Sequence, residues 1–184
     1  MKQWLYIISN RSQPGMVQIG LNEDHPASLV RVLNMTGSSP FPYTVDFKLL
    51  LKNDCYHIVQ NIRKALWIDH KNIALGWYSI SFQEALTLIR SEVAAYILGK
   101  YIIEIQRDHN CHDLTTLMKV FDAVIAVKED SSPEGAAATF EAREIAKIIA
   151  DIMKNENWRQ DGLWLNRITG ENSRYSLNYH CLTS

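Results

Sequence analysis

The 184-residue chain predicts an α+β fold: a small mixed sheet with flanking helices, followed by an α-helical region and a C-terminal hairpin. Three observations carry that expectation. Two short apolar runs of strand length, WLYIIS and MVQIG, open the chain on either side of an Asn-Arg-Ser-Gln-Pro-Gly spacer. Strand-like and helix-like segments then follow in the order β-β-α-β-α-β-α up to about residue 90. From Phe82 onward, apolar residues recur at helical spacing as far as Arg107.

Each element has a local reason. Residues 4–9 and 16–20 read as strands joined by Pro14-Gly15 turn chemistry. Asp24-His25-Pro26 opens a helix with Pro26 in its first turn; it runs through Leu29, Val30 and Leu33 and stops by Thr36-Gly37. After the loop SSPFP, YTVDFKLLL alternates enough to be a strand, and residues 54–66 place Ile58, Ile62 and Leu66 on one helical face. GWYSIS is a further strand. Ser81 then caps a helix, with Glu84 three residues on to complete a capping box.

That helix is expected to continue through Ala85, Leu86, Ile89, Val93, Ile97, Tyr101 and Ile105. Gly99 is its weak point, costing about 1 kcal/mol relative to alanine. LTTLMKVFDAVIAV and roughly Ala136 to Asn157 make two more helices, separated by the linker KEDSSPEG. The tail GLWLNRITGENSRYSLNYH reads as a hairpin turning at Thr169-Gly170-Glu171-Asn172. The chain therefore divides into an α+β domain over residues 1–90 and a helical region with a terminal hairpin over 91–184. No internal repeat is present.

Bulk properties narrow the function classes. A net charge of −1 and a pI near 6.6 remove any argument from overall electrostatics for a nucleic-acid protein. The halves differ mildly, +3 over residues 1–90 and −4 over 91–184, which solvated helix faces also produce. The first apolar run is too short to span a membrane and lacks a basic leader, so no membrane partner is expected. Three cysteines, Cys55, Cys111 and Cys181, are an odd number without CxxC spacing and point to reduced thiols in a cytoplasm.

LYIIS, VQIG, HPASLVRVLNMTGSSPFPY and GWYSISFQEAL stand in an order and spacing that resembles the GIY-YIG nuclease superfamily, in particular its small phage and bacterial branch with a V-x-I-G second motif. The resemblance covers about half the chain. It implies phosphodiester hydrolysis in which a first-motif tyrosine, assisted by the second motif, prepares water. A helix arginine balances phosphate charge, and a glutamate holds one divalent metal. Such charge development needs a cation and a fixed guanidinium beside it.

Carried over position by position, the resemblance implies that little of this equipment is kept. Tyr6 stands at the catalytic tyrosine's place and Gly20 at the closing glycine's. Gln18 replaces the second tyrosine, Leu29 the helix arginine, and Gly76 the metal-binding glutamate. Arg31 lies two residues past Leu29, about 200° around the helix, and should point elsewhere. Arg63 occupies a position often held by histidine. The residues thus imply a catalytically degenerate protein with no metal ligand and no cofactor.

Other residue clusters have bland readings beside sharp ones. A tyrosine in a central strand is ordinarily a core residue with a bonded hydroxyl. Arg31 and Arg63 could take phosphate from new positions, or lie solvated on helix faces. His109, Cys111, His112, His180 and Cys181 are zinc-ligand types, but His-x-Cys-His matches no familiar zinc unit. Trp164, Arg167, Arg174, Tyr175 and Tyr179 interleave aromatics and cations on the terminal hairpin, as a nucleic-acid ribbon or as ordinary packing. Lys48 and Lys52 do not make a patch.

The expected function is a nuclease-fold module that binds nucleic acid, through Arg31, Arg63, Arg167 and Arg174, or a protein partner, as a phage or bacterial inhibitor or regulator. A first alternative is a divergent, active Mg²⁺- or Mn²⁺-dependent DNA endonuclease using Tyr6, Arg31 or Arg63 and a recruited carboxylate such as Glu23 or Asp69. A second is an adaptor or homodimer whose helical region forms the interface.

Overall fold

The chain opens with a hairpin of β1 (Lys2–Asn10) and β2 (Val17–Asn22), followed by α1 (Pro26–Thr36), β3 (Tyr43–Lys52) and α2 (Tyr56–Ile68). Short strands β4 (Asn72–Ala74) and β5 (Trp77–Tyr78) lead into α3 (Phe82–Arg107), α4 (Leu114–Val124) and α5 (Pro133–Asn155). The computed structural model describes residues 2–52, 55–69, 71–74, 76–107, 114–126 and 132–155. The α+β expectation holds. The terminal hairpin and the His109–His112 run lie outside the described residues, as do Arg167 and Arg174.

The sheet has five strands in the order β3-β1-β2-β5-β4, and every neighbouring pair is antiparallel. Opposed residues of an antiparallel pair share a face. Leu5, Ile7, Ile19, Phe47, Leu49 and Leu51 are buried in one core with residues of α2, α3 and α4. Trp4, Tyr6 and Lys48 point the other way, toward the side where α1 packs on β3 and β1. A register shift between Ile7 and Ile8 against β3 interrupts the alternation, and both isoleucines are buried.

Local signals explain where α1 and α3 begin. Pro26 sits in the first turn of α1, where its missing N–H costs nothing, and the His25 side chain accepts from Ala27 N at 3.2 Å. The α3 capping box forms reciprocally, with Glu84 N donating to Ser81 Oγ at 3.2 Å and Ser81 N to Glu84 Oε2 at 2.9 Å. Buried Asn10 ties the first turn to the loop after α1: its Nδ2 donates to Ser39 Oγ and Phe41 O, both at 2.9 Å, while its Oδ1 accepts from Ser12 N.

Three boundaries differ from expectation by more than two residues. The GWYSIS run is strand only at Trp77–Tyr78, because just two of its residues find partners on β2. The fourth helix stops at Val124 and Ile125 bridges Leu51, so the chain leaves α4 to lie along β3. The last helix begins at Pro133, inside the expected linker, with Ser132 Oγ accepting from Gly135 N at 3.1 Å as its cap.

α3 crosses the expected boundary near residue 90 without a break. Its middle, from Glu92 to Gly99, is buried all round. It packs on α2, α4 and α5 as well as on β1 and β2. A helix enclosed on every side needs apolar residues beyond a single stripe, and Val93, Ala94, Ala95, Ile97 and Leu98 supply them. Each large aliphatic side chain so enclosed contributes about 1.5–3 kcal/mol. Among the described residues, no helix is long and apolar enough to cross a membrane.

Candidate functional site

Tyr6 lies mid-strand in β1, opposite Gly20 of β2 on one side and Lys48 of β3 on the other. It is 6% exposed, and its ring reaches across Gly20. A Cβ at Gly20 would stand 2.3 Å from Tyr6 Oη and 2.5 Å from Cζ. Glycine is required there by the close approach of the phenol. The pairing of a first-strand tyrosine with a second-strand glycine thus has a steric cause within this chain.

Past Ile19, β2 outruns its neighbour. β5 pairs with Val17 and Gln18, and Ile19 N donates to Gly76 O at 3.0 Å. The Tyr6 phenol sits over the next residue, where the β2–β5 pairing has ended. Arg63 reaches this region from α2. Burial pushes the Tyr6 pKa above the ordinary tyrosine value, and the positive charge of Arg63 partly offsets it. Burial likewise raises Tyr78, opposed by the Arg63 charge and by a hydrogen bond that Arg63 donates to the phenol. Arg63 thus hydrogen bonds Tyr78, which shares the core face with Val17 and Ile19, and acts through charge alone on Tyr6, which points to the opposite face.

The other expected residues fall around or away from these side chains. Gln18 is half-buried on β2 opposite Trp77, whose ring lies 5.8 Å from that of Tyr43. Leu29 is half-buried on α1, while Arg31 is exposed on the same helix; the cation that acts on Tyr6 is Arg63. Glu23 is exposed before α1, and Asp69 is exposed where α2 ends.

Gly76 has φ +82°, and a Cβ on it would stand 3.3 Å from Ile19 O. A glutamate at this position would be strained in the left-handed region and crowded against that carbonyl. Among the described residues, no three His, Cys, Asp or Glu side chains gather as a metal site. The residues around Tyr6 do not fit a divalent metal.

Tyr78 was the partner that sequence reasoning missed. It stood in plain view in the Trp77-Tyr78 pair, but its link to Arg63 depends on α2 packing beside β2. The steric account of Gly20 makes a measurable demand. Gly20→Ala should destabilise the protein by about 1–3 kcal/mol in urea unfolding, as overpacking of a filled site does. In a Tyr6→Ala background the same change should cost less than about 0.5 kcal/mol, because its clash partner is gone. Equal costs in both backgrounds would show that the phenol is not what excludes a side chain at Gly20.

No family model, curated protein or solved structure matches the chain.

Proposed function

We propose that the chain is a catalytically degenerate relative of the GIY-YIG nucleases that binds nucleic acid without cleaving it. The observation that carries this reading is the Arg63 guanidinium, hydrogen bonded to Tyr78 and placed to act on Tyr6 beside the end of the β2–β5 pairing. A guanidinium held by one acceptor keeps its remaining N–H groups for a phosphate oxygen, and its planar fork suits that geometry. Three features support binding over hydrolysis. Leu29 puts no charge where the resemblance expects an arginine, and Gly76 offers no carboxylate. The raised Tyr6 pKa also works against its taking a proton from water near neutral pH. A role as a phage or bacterial inhibitor or regulator fits such a module.

The test is DNA and RNA binding by fluorescence anisotropy over a range of salt. Wild-type protein should bind with a negative dependence on salt, and Arg63→Ala should weaken binding about tenfold and flatten the salt slope by about one. Supercoiled DNA with Mg²⁺ or Mn²⁺ should stay intact. Cleavage that Tyr6→Phe abolishes would replace this reading with that of an active endonuclease.

A protein partner is the second reading, and a different surface favours it. Trp67 (68% exposed) and Ile68 end α2, which packs on the edge strand β4 that carries the exposed Ile73. Large apolar side chains gathered at a sheet edge are a common form of protein contact. This surface belongs to the first ninety residues, whereas the sequence pointed to the helical region.

A further inference from the structure

On the other side of Tyr6 from Gly20, three side chains brought from distant parts of the chain, Trp4, His25 and Glu134, meet around Lys48. The Trp4 ring forms the floor. His25 stands edge-on to it with centroids 4.8 Å apart, and Lys48 Nζ lies 5.8 Å from the ring centre. Lys48 Nζ is 3.1 Å from His25 Nε2 and 2.7 Å from Glu134 Oε1, while His25 Nε2 is 3.9 Å from the same carboxylate oxygen.

The protons decide what this cluster wants. His25 Nδ1 accepts from Ala27 N, which leaves Nε2 as the nitrogen that carries the ring proton. Lys48 is an ammonium with no lone pair to offer. Two donors therefore face each other and cannot satisfy one another. What suits both is an anionic oxygen; Glu134 Oε1 takes the Lys48 donor at 2.7 Å but stands 3.9 Å from His25 Nε2, beyond a hydrogen bond. The arrangement is a small anion site with an internal carboxylate in it.

Glu134 is 60% exposed and lies in the first turn of α5, where a negative charge is favourable whether or not it bonds Lys48. An ion pair this exposed is a weak tie. The register places Lys48 directly beside Tyr6 on the same face of the sheet.

We infer that Lys48 and the His25 Nε2–H, on the Trp4 floor, form a phosphate-oxygen subsite, and that the Glu134 carboxylate closes it until a phosphate displaces it. That the phosphate belongs to a nucleic-acid backbone rests on the function proposed above. A free phosphate would meet the same two donors.

The full-length chain is compared with Glu134→Gln, Lys48→Gln and the double variant. Two probes are used: a short DNA duplex read by anisotropy, and inorganic phosphate read by the NMR shifts of the His25 ring. Removing the internal competitor with Glu134→Gln should tighten both about threefold to tenfold, the range of a modest coupling between competing groups. Lys48→Gln should weaken both, and in the double variant the gain from Glu134→Gln should vanish. Unchanged affinities in Glu134→Gln alongside weaker DNA binding by Arg63→Ala would overturn the subsite and leave the nucleic-acid reading standing. Phosphate binding that tightens in Glu134→Gln with no DNA binding by any variant would keep the subsite for free phosphate and end the nucleic-acid reading. A lower melting temperature in Glu134→Gln without any change in phosphate affinity would reduce the cluster to a structural tie.

Discussion

Glu92→Gln is expected to make the protein more stable above neutral pH and to flatten its pH dependence. Glu92 is buried on α3, and burial raises its pKa from 4.5 to about 7, with a side-chain hydrogen bond to Asn61 of α2 pulling the other way. The raised value means that the folded state holds a proton which the unfolded chain gives up at lower pH. The associated stability is fully present below pH 4.5 and is lost as pH rises to about 7. The slope is about 1.4 kcal/mol per pH unit, so the total is about 3 kcal/mol.

Glutamine keeps the shape and can still bond Asn61, but it has no charge to bury. Urea unfolding at about pH 4 should give similar stabilities for the two proteins. At about pH 8 the variant should lead by about 3 kcal/mol. Parallel stability curves across this window would show that Glu92 reaches water when it ionises.

Arg90→Ala is expected to cost about 3 kcal/mol. Arg90 Nε donates to Glu141 Oε2 at 2.8 Å and Nη2 to Oε1 at 2.7 Å, a two-pronged pair joining α3 to α5. The side chains are 18% and 13% exposed, so removing the arginine strands a mostly buried carboxylate. It also uncovers the Phe140 ring, over which the guanidinium lies at 5.8 Å. Arg90→Lys should fall between, since an ammonium keeps the charge but not the fork. Replacing both partners by apolar residues, Arg90→Met with Glu141→Leu, should recover most of the loss. These three variants rank in that order by chemical denaturation; if Arg90→Ala is neutral, the pair is not what holds α5 in place.

How much of this was readable beforehand depended on whether the cause was local. The Ser81–Glu84 box and Pro26 act within one helical turn, and both helices start where those residues require. The α5 start was missed because SSPEG has the composition of a linker, although a serine cap followed by proline is also a helix opening. β4 has three residues, too few to show a period, and exists through its pairing with β5. Tyr6 and Gly20 could be picked out as a pair from order and spacing, but the steric contact between them needed the register. Lys48 was weighed only with Lys52, as a patch the two do not make. Its partners lie 23 and 86 residues away, and folding alone brings them together.

The enclosure of α3 has a consequence for how the chain must be made. The sheet and α2 come early in synthesis, but α4, α5 and most of α3 come after residue 90. Until they emerge, Leu49 and Leu51 lack the α4 side chains that share their core, and the apolar face of β1 and β3 is left partly uncovered. A nascent chain in that condition is prone to stick to its neighbours. Translation speed and chaperone supply over the second half should therefore govern the yield of native protein more strongly than the excellent hairpin with which the chain begins.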